Sequence, residues 1–414
     1  MRLQYLAEMT KRILLVGGEQ PLWSEFRARS SALESPWKSE FAKSGAEALG
    51  MLANSSFGAV VGDLELPDMS GLDFLDQIQR QYPRIVRVVL SDLEDIAQTV
   101  RCIGKGHHHL LKPCDAGAVL SVLERAVALR TWLPSVAAQD LIGRMRWVPS
   151  PPALYIRVLT EMQSPGATVD TIGALIAQDP AIAAKVLQLA NSAVFGLQLQ
   201  VLEPREAVSY LGFETTKALV LLAHTFASFD RPELAGFGLE SLGEHAVLVG
   251  RLARCISRAE SCGLAEMEQA SAAGLLHDIG KLLLAANLPT RYGQALKLAR
   301  QAQRELWEVE HEFFGTSHAE LGALLLGIWG LPQSIVEAVA WHHQLPRADG
   351  MSFSPLTAVH VADVLAHECV PTLTPGAQAN LDRLYLFNLG LESRVEVWRQ
   401  LCQEEQGDLS AAPR

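Results

Sequence analysis

No apolar run in this chain approaches the roughly 20 residues that a membrane-spanning helix needs; the longest, such as residues 218–223 and 282–286, suit an ordinary core. Residues 1–10, with Arg2 and Glu8, also lack the apolar stretch and small-residue cleavage site of a secretory leader, so a cytoplasmic location is expected. Cysteine is sparse and scattered. The six, at positions 102, 114, 255, 262, 369 and 402, form neither a CxxC pair nor a regular spacing, which argues against a disulfide or zinc framework and fits reduced, mostly buried thiols. Positive charge is short as well: 35 Lys and Arg face 46 Asp and Glu, a formal net charge of −11. Residues 1–130 are nearly balanced, 15 against 16, so the remaining 20 against 30 make the second part the acidic one. An acidic surface repels a phosphate backbone, and no Lys/Arg cluster interleaved with aromatics occurs, so direct nucleic-acid binding is not expected.

What is present is material for two cores: 414 residues, 49% of them hydrophobic and 20% charged, exceed the usual size of one domain. Short apolar runs at 12–16, 37–41, 58–62, 85–90 and 109–111 alternate with helix-like stretches at 21–33, 44–53, 71–82, 93–104 and 115–129. Strands and helices alternating at that length predict a doubly wound, five-stranded parallel sheet. Chemistry in such sheets gathers at the carboxyl ends of the strands. There the chain places Asp63, Ser91 and Lys112. A carboxylate, a hydroxyl and an ammonium at one edge suit a phosphoryl-accepting site, the carboxylate as nucleophile and the other two holding the transferred oxygens.

With VVGDLELPDMSGLDFL (60–75), VVLSD (88–92) and LLKPCD (110–115), residues 11–128 resemble the receiver domain of bacterial response regulators. The resemblance implies Asp63 as phospho-acceptor, with Ser91 and Lys112 as switch residues. It also implies a sensor histidine kinase as partner. One place departs from the pattern: where receivers carry an acidic pair that holds Mg²⁺, this chain reads Gly17-Gly18, which supply no side-chain oxygen. Mg²⁺ binding is therefore expected to be weak or absent. Two readings stay open, phosphorylation-dependent signalling and a degenerate receiver that serves docking or dimerisation.

Residues 129–147, with Pro134, read as a linker, and beyond them the strand pattern stops. Helical periodicity predicts helices at 152–162, 168–178, 181–191, 204–211, 214–227, 242–257, 267–285, 289–302, 317–327, 332–342 and 355–369, an all-α domain over 148–370 with a helical extension and tail at 371–414. Within the long 267–285 stretch lies His277-Asp278-Ile279-Gly280-Lys281. An adjacent His and Asp offer nitrogen and oxygen to one metal ion, or form a buried hydrogen-bonded pair. Asp363 is three residues from His360 and could be that histidine's partner.

The segments LIAQDPAIAAKVLQLANSAVFG (175–196), AGLLHDIGKLLLA (273–285) and HAELGALLLGIWGLPQSIVEAVAWHHQLP (318–346) resemble the HD-related output domain, HDOD. This family stands beside the HD phosphohydrolases, whose metal sites imply His245, His277, Asp278, His318, His342, His343 and Asp363 as candidate ligands for Fe, Mn or Zn. Lys281 is a candidate phosphate-binding residue. The Tyr-Pro element of the cyclic-dinucleotide hydrolases is missing after His343, where the chain reads QLPRADGMSFSP. The resemblance therefore implies a receiver controlling a non-catalytic module that binds downstream signalling proteins. The alternative is a metal-dependent phosphohydrolase acting on a nucleotide or phosphodiester. A bound nucleotide ligand and a homodimer are further expectations.

Overall fold

In the computed structural model the described residues run from Arg12 to Ala411, except 18–20, 33–36, 93–107, 113, 133–134, 146–152, 163, 165, 180–181, 185, 188–200, 230–236, 330, 346–351 and 371–378. The helix expected at 93–104 lies outside them, as does most of that at 181–191. The chain divides into two compact units, Met1–Ser150 with Leu324–Gly330, and Pro151–Ala323 with Leu331–Arg414.

The first unit is built on the period-2 alternation of a strand covered on both faces. In β1 (Arg12–Val16), Ile13 and Leu15 join one core cluster while Leu14 and Val16 join another. In β3 (Ala59–Asp63), Val61 sides with the first cluster and Val60 with the second. With β2 (Lys38–Ala42), β4 (Val86–Asp92) and β5 (His108–Lys112), they form a parallel sheet of order β2-β1-β3-β4-β5. Helices α1 (Pro21–Ser31) and α4 (Ala116–Trp132) supply Trp23, Phe26, Val119 and Leu123 to one face. Helices α2 (Gly45–Asn54) and α3 (Gly71–Gln81) supply Ala48, Leu52, Phe74 and Ile78 to the other. The sheet is the doubly wound one expected.

The stretch read as a linker differs. Residues 129–147 contain the end of α4 and a further helix, α5 (Val136–Arg144), capped by Ser135, whose Oγ accepts from Ala138 N at 3.2 Å. It is held to the sheet domain. Asp140 receives both nitrogens of Arg84 at 2.5 and 2.8 Å, and Gln79 Nε2 donates to Met145 O at 2.8 Å. Proline flanks hid a nine-residue helix whose partners are distant in sequence.

The second unit is helical throughout its described residues: α6 (Ala153–Met162), α7 (Val169–Ala177), α8 (Pro204–Leu211), α9 (Phe213–Phe229), α10 (Leu239–Ala259), α11 (Leu264–Leu276), α12 (Ile279–Asn287), α13 (Pro289–Ala302), α14 (Leu306–Phe314), α15 (His318–Ile328), α16 (Gln333–Trp341), α17 (Pro355–Cys369), α18 (Arg383–Asn388) and α19 (Val395–Ala411). The long helix expected over 267–285 is in fact two. It breaks at His277-Asp278, between α11 and α12. Helix α17 is buried along its whole length from Leu356 to Ala366. At the far end of the chain α19 docks through Trp398, fully buried, whose Nε1 donates to Glu260 Oε1 at 2.9 Å. Among the described residues no helix is long and apolar enough to cross a membrane.

One carboxylate of the first unit serves as a helix cap from a distance. Asp68 accepts from Gly45 N at 2.9 Å and Ala46 N at 2.8 Å, closing two orphan donors at the start of α2. The Ala46 amide above all, with those of Gly45 and Asp68, holds the carboxyl below its ordinary 3.8. A depressed folded value means stabilisation that is present above the unfolded value and lost as pH falls through the folded one. Asp68→Asn should therefore lower the urea midpoint of the first unit at neutral pH and flatten its acid dependence. Equal acid slopes in the two proteins would disprove the assignment.

Candidate functional site

In the first unit the sheet brings two of the three expected strand-end residues into contact. Asp63, the last residue of β3, forms an ion pair with Lys112, the last residue of β5, and both are largely buried. Asp63 Oδ1 also lies 3.4 Å from the amide of Glu65. Ser91 lies one residue from the end of β4, in register with Leu111. Gly17, directly after β1, has φ +128°, and a Cβ built there would lie 3.7 Å from Asp63 Cβ. The backbone thus passes beside Asp63 in a conformation that L side chains rarely adopt. Gly18 and Glu19 are outside the described residues.

In the second unit two glycine contacts set the site. A Cβ at Gly274 of α11 would lie 2.7 Å from Gly250 Cα of α10, so these helices meet backbone to backbone. That approach leaves the rings of His245 and His277 with centroids 5.3 Å apart. A Cβ at Gly280 of α12 would fall 1.9 Å from His318 O and 2.8 Å from Gly322 N, both in α15. This second approach sets His318 Nε2 3.2 Å from Asp278 Oδ1. Helix α17 contributes Asp363, and the end of α16 contributes His342 and His343.

All seven expected ligands converge, buried except for the partly exposed His343. Asp363 Oδ1 lies 3.0 Å from His245 Nε2 and 3.5 Å from His277 Nε2. Asp278 Oδ2 lies 3.4 Å from His277 Nε2 and 4.0 Å from His245 Nε2. His318 Nε2 faces His343 Nε2 at 3.1 Å. Lys281 reaches back to Asp278 Oδ2 at 2.6 Å, so its ammonium is already engaged by a carboxylate.

Backbone carbonyls assign the tautomers. His277 Nδ1 donates to Gly274 O at 2.7 Å and His342 Nδ1 donates to Val339 O at 2.8 Å, which directs each Nε2 into the cluster. Burial removes the charged form of His245 and His342, pushing them down to about 4 and about 3. His277 goes the other way: burial opposes its charge, but Asp278 and then Asp363 raise it to about 10. Asp278 and Asp363, although desolvated, are held well below the ordinary carboxylate value, the first by His277 and Lys281, the second by His367, His245 and His277. A protonated His277 between two buried carboxylates occupies the place that a metal cation would fill electrostatically.

Three donor sets bring their ligand atoms within 4.8 Å of one another: His245, His277 and Asp363; His277, Asp278 and His342; His318, His342 and His343. Among the described residues, buried His277 Nε2, His342 Nε2 and Asp278 Oδ1 make no hydrogen bond. Polar atoms left so are costly unless an ion or a water satisfies them. Imidazoles with carboxylates suit Fe, Mn or Zn, and the cluster is compatible with a metal site.

His360, the suggested partner of Asp363, is not one. Its Nδ1 donates to His342 O at 2.7 Å and its Nε2 accepts from Asp382 N at 3.0 Å, so both ring nitrogens are taken structurally. Asp363 instead bonds His245 across helices at 3.0 Å, and on its own helix it faces His367, one turn on, with Nδ1 3.2 Å from Oδ1. The i,i+4 spacing was the available signal. Glu310 was missed too. It is fully buried and accepts from His318 Nδ1 at 2.6 Å, and no local pattern links residues on separate helices.

Two expected outcomes test this geometry. Gly280→Ala should cost the second unit about 1–3 kcal/mol or more, because a methyl would meet backbone atoms on α15; an unchanged melting temperature would exclude the close approach. For pH, the depressed His245 and His342 stabilise above their ordinary 6.5 and lose that as pH falls toward 4 and 3, whereas the raised His277 stabilises below 6.5 and loses that toward 10. Chelator-treated protein should therefore be most stable near neutrality and weaken on both sides by on the order of a few kcal/mol. His342→Gln should flatten the acid limb of the urea-midpoint profile.

Known proteins resemble this chain in two parts. The response regulator receiver domain family matches residues 26–124 and the HDOD domain family matches residues 148–345. An uncharacterized protein of Treponema pallidum is 25% identical over 285 residues, 68% of this chain and 54% of that protein, so this chain spans about half of that relative's length. The DNA-binding transcriptional regulator NtrC of Escherichia coli is 29% identical over 87 residues, 21% of this chain and 19% of NtrC. The crystal structure of an HDOD domain protein of unknown function from Geobacter sulfurreducens superposes with a TM-score of 0.52 at 22% identity, covering 68% of this chain and 96% of that one, which establishes a shared fold. Sheet, helices and both family matches agree: a response regulator receiver domain (26–124) is followed by an HDOD domain (148–345).

Proposed function

We propose that the receiver controls a non-hydrolytic HDOD module whose output is the binding of downstream signalling proteins. A receiver domain implies a phosphorelay from a histidine kinase. In this chain the receiver would respond with little help from Mg²⁺. Its acceptor is already paired with Lys112, and Gly17 offers neither an oxygen ligand nor a conformation in which an aspartate would sit without strain.

The observation that carries the non-hydrolytic reading is the closure of the cluster. His277, Asp278, His318 and Asp363 are 0–3% exposed, and Lys281, the candidate phosphate-binding cation, is bonded to Asp278. A phosphodiester needs a path to the metal and a free cation beside it. His245, His277, Asp278 and Asp363 would hold an ion at one end, and His318, His342 and His343 at the other. Bound there, Fe, Mn or Zn would bring Lewis acidity and an activated water. In so buried a cluster its role would be cohesion, because the residues that would hold it come from α10, the α11–α12 junction, α15, α16 and α17.

The convergent donor sets favour a second reading, a metal-dependent phosphohydrolase acting on a nucleotide or phosphodiester. Turnover of bis(p-nitrophenyl) phosphate by the full chain with Mn²⁺ or Fe²⁺ separates the two. We expect no rate above that of His277→Ala, and a rate that disappears in this variant would establish the hydrolase. For the receiver, acetyl phosphate should label Asp63 no faster when Mg²⁺ is added; a strong Mg²⁺ acceleration, lost in Asp63→Asn, would show a complete metal site.

A further inference from the structure

Helix α14 is packed against α13 by Ala295, Ala299 and Val309, with Leu306, Phe313 and Phe314 around them. Beside Val309, Glu310 turns inward and is fully buried. A lone carboxylate in such a place is costly unless it is hydrogen-bonded or paired. One oxygen, Oε2, accepts twice from the same residue, from His318 N at 2.8 Å and from His318 Nδ1 at 2.6 Å. The other, Oε1, makes no hydrogen bond among the described residues.

This double grip has a directional result. With a proton on Nδ1 committed to Glu310, the imidazole has only Nε2 to offer, and Nε2 points at Asp278 Oδ1, 3.2 Å away, and His343 Nε2, 3.1 Å away. The bond from the His318 amide fixes the main chain at the first residue of α15, so ring and backbone are held by one group. His277 and His342 are fixed by carbonyls of their own helices, Gly274 and Val339. His318 starts its helix and has no preceding turn to supply such a carbonyl. A carboxylate from another helix takes that part.

We propose that Glu310 is the positioning residue of this cluster, setting the tautomer and orientation of His318 and thereby the ligand capacity of the His318, His342 and His343 set. The assignment rests on the metal reading above for its consequence but not for its geometry. Outer partners of this kind change metal affinity by about 10- to 100-fold when removed.

The test uses the full chain, ¹⁵N-labelled, with two variants. In long-range imidazole spectra the wild type should show a protected proton on His318 Nδ1, retained in Glu310→Gln, whose amide oxygen accepts the same bonds, and lost in Glu310→Leu. Zn²⁺ titration should give an affinity about 10- to 100-fold weaker in Glu310→Leu, with most of it recovered in Glu310→Gln. Glu310→Gln keeps the test decisive if the leucine variant fails to fold, because loss of the Nδ1 proton in a folded glutamine variant counts against the assignment. A His318 protonated on Nε2 alone in the wild type, or Zn²⁺ affinity unchanged in a folded Glu310→Leu, would overturn it. A protected Nδ1 proton in a protein that binds no Zn²⁺ supports the positioning role and removes only the metal reading.

Discussion

Two carboxylates taken wholly out of water, Asp278 and Asp363, govern the second unit. Buried ions of one sign must be met by cations or give up their charge. Here they are met by His277, Lys281 and His367, placed by the α11–α12 break, α12 and α17. The break is where the acid sits: Asp278 leaves α11 and opens α12, so its side chain can turn toward α15 rather than follow one helix face. The glycines at 250, 274, 280 and 322 serve the same end, since only bare backbone lets the ligand-bearing helices come this near. Packing and electrostatics are thus one arrangement, and disturbing either should be felt in the other.

The receiver shows a parallel economy with different chemistry. Asp63 is paired with Lys112 at the carboxyl edge of a parallel sheet. The glycine beside it bends the chain in a left-handed conformation where receivers of the usual pattern carry acid side chains. Both units thus pair a largely buried carboxylate with a lysine, Asp63 with Lys112 and Asp278 with Lys281.

Much of this was legible in the chain. Continuous apolar runs such as ILLV and AVVG carried the strand positions and their burial on both faces, because neighbouring strand residues face opposite sides whatever the surroundings. The HDIGK run marked the site, and matching segments across 148–345 marked its family. The seven candidate ligands meet as expected. Three things were misread or missed: the helix break at His277-Asp278, the partner of Asp363, and α5 in a proline-flanked segment. Each depends on contacts between residues distant in sequence or on a local bend that periodicity does not register. Glu310 belongs with them, since eight residues and a turn separate it from His318.

The division between the two sources of information has a physical cause. Residue type, spacing and alternation are local, so the sequence alone determined the α/β and all-α parts, the identity of the candidate ligand side chains and the acidic character of its composition. Which histidine nitrogen faces the cluster, which cation answers which carboxylate, and whether a reactant can reach the metal ligands depend on distances of 3–4 Å between helices far apart in the chain. Those distances are set by backbone approach at glycines and by the burial of charge, and they exist only once the helices have packed.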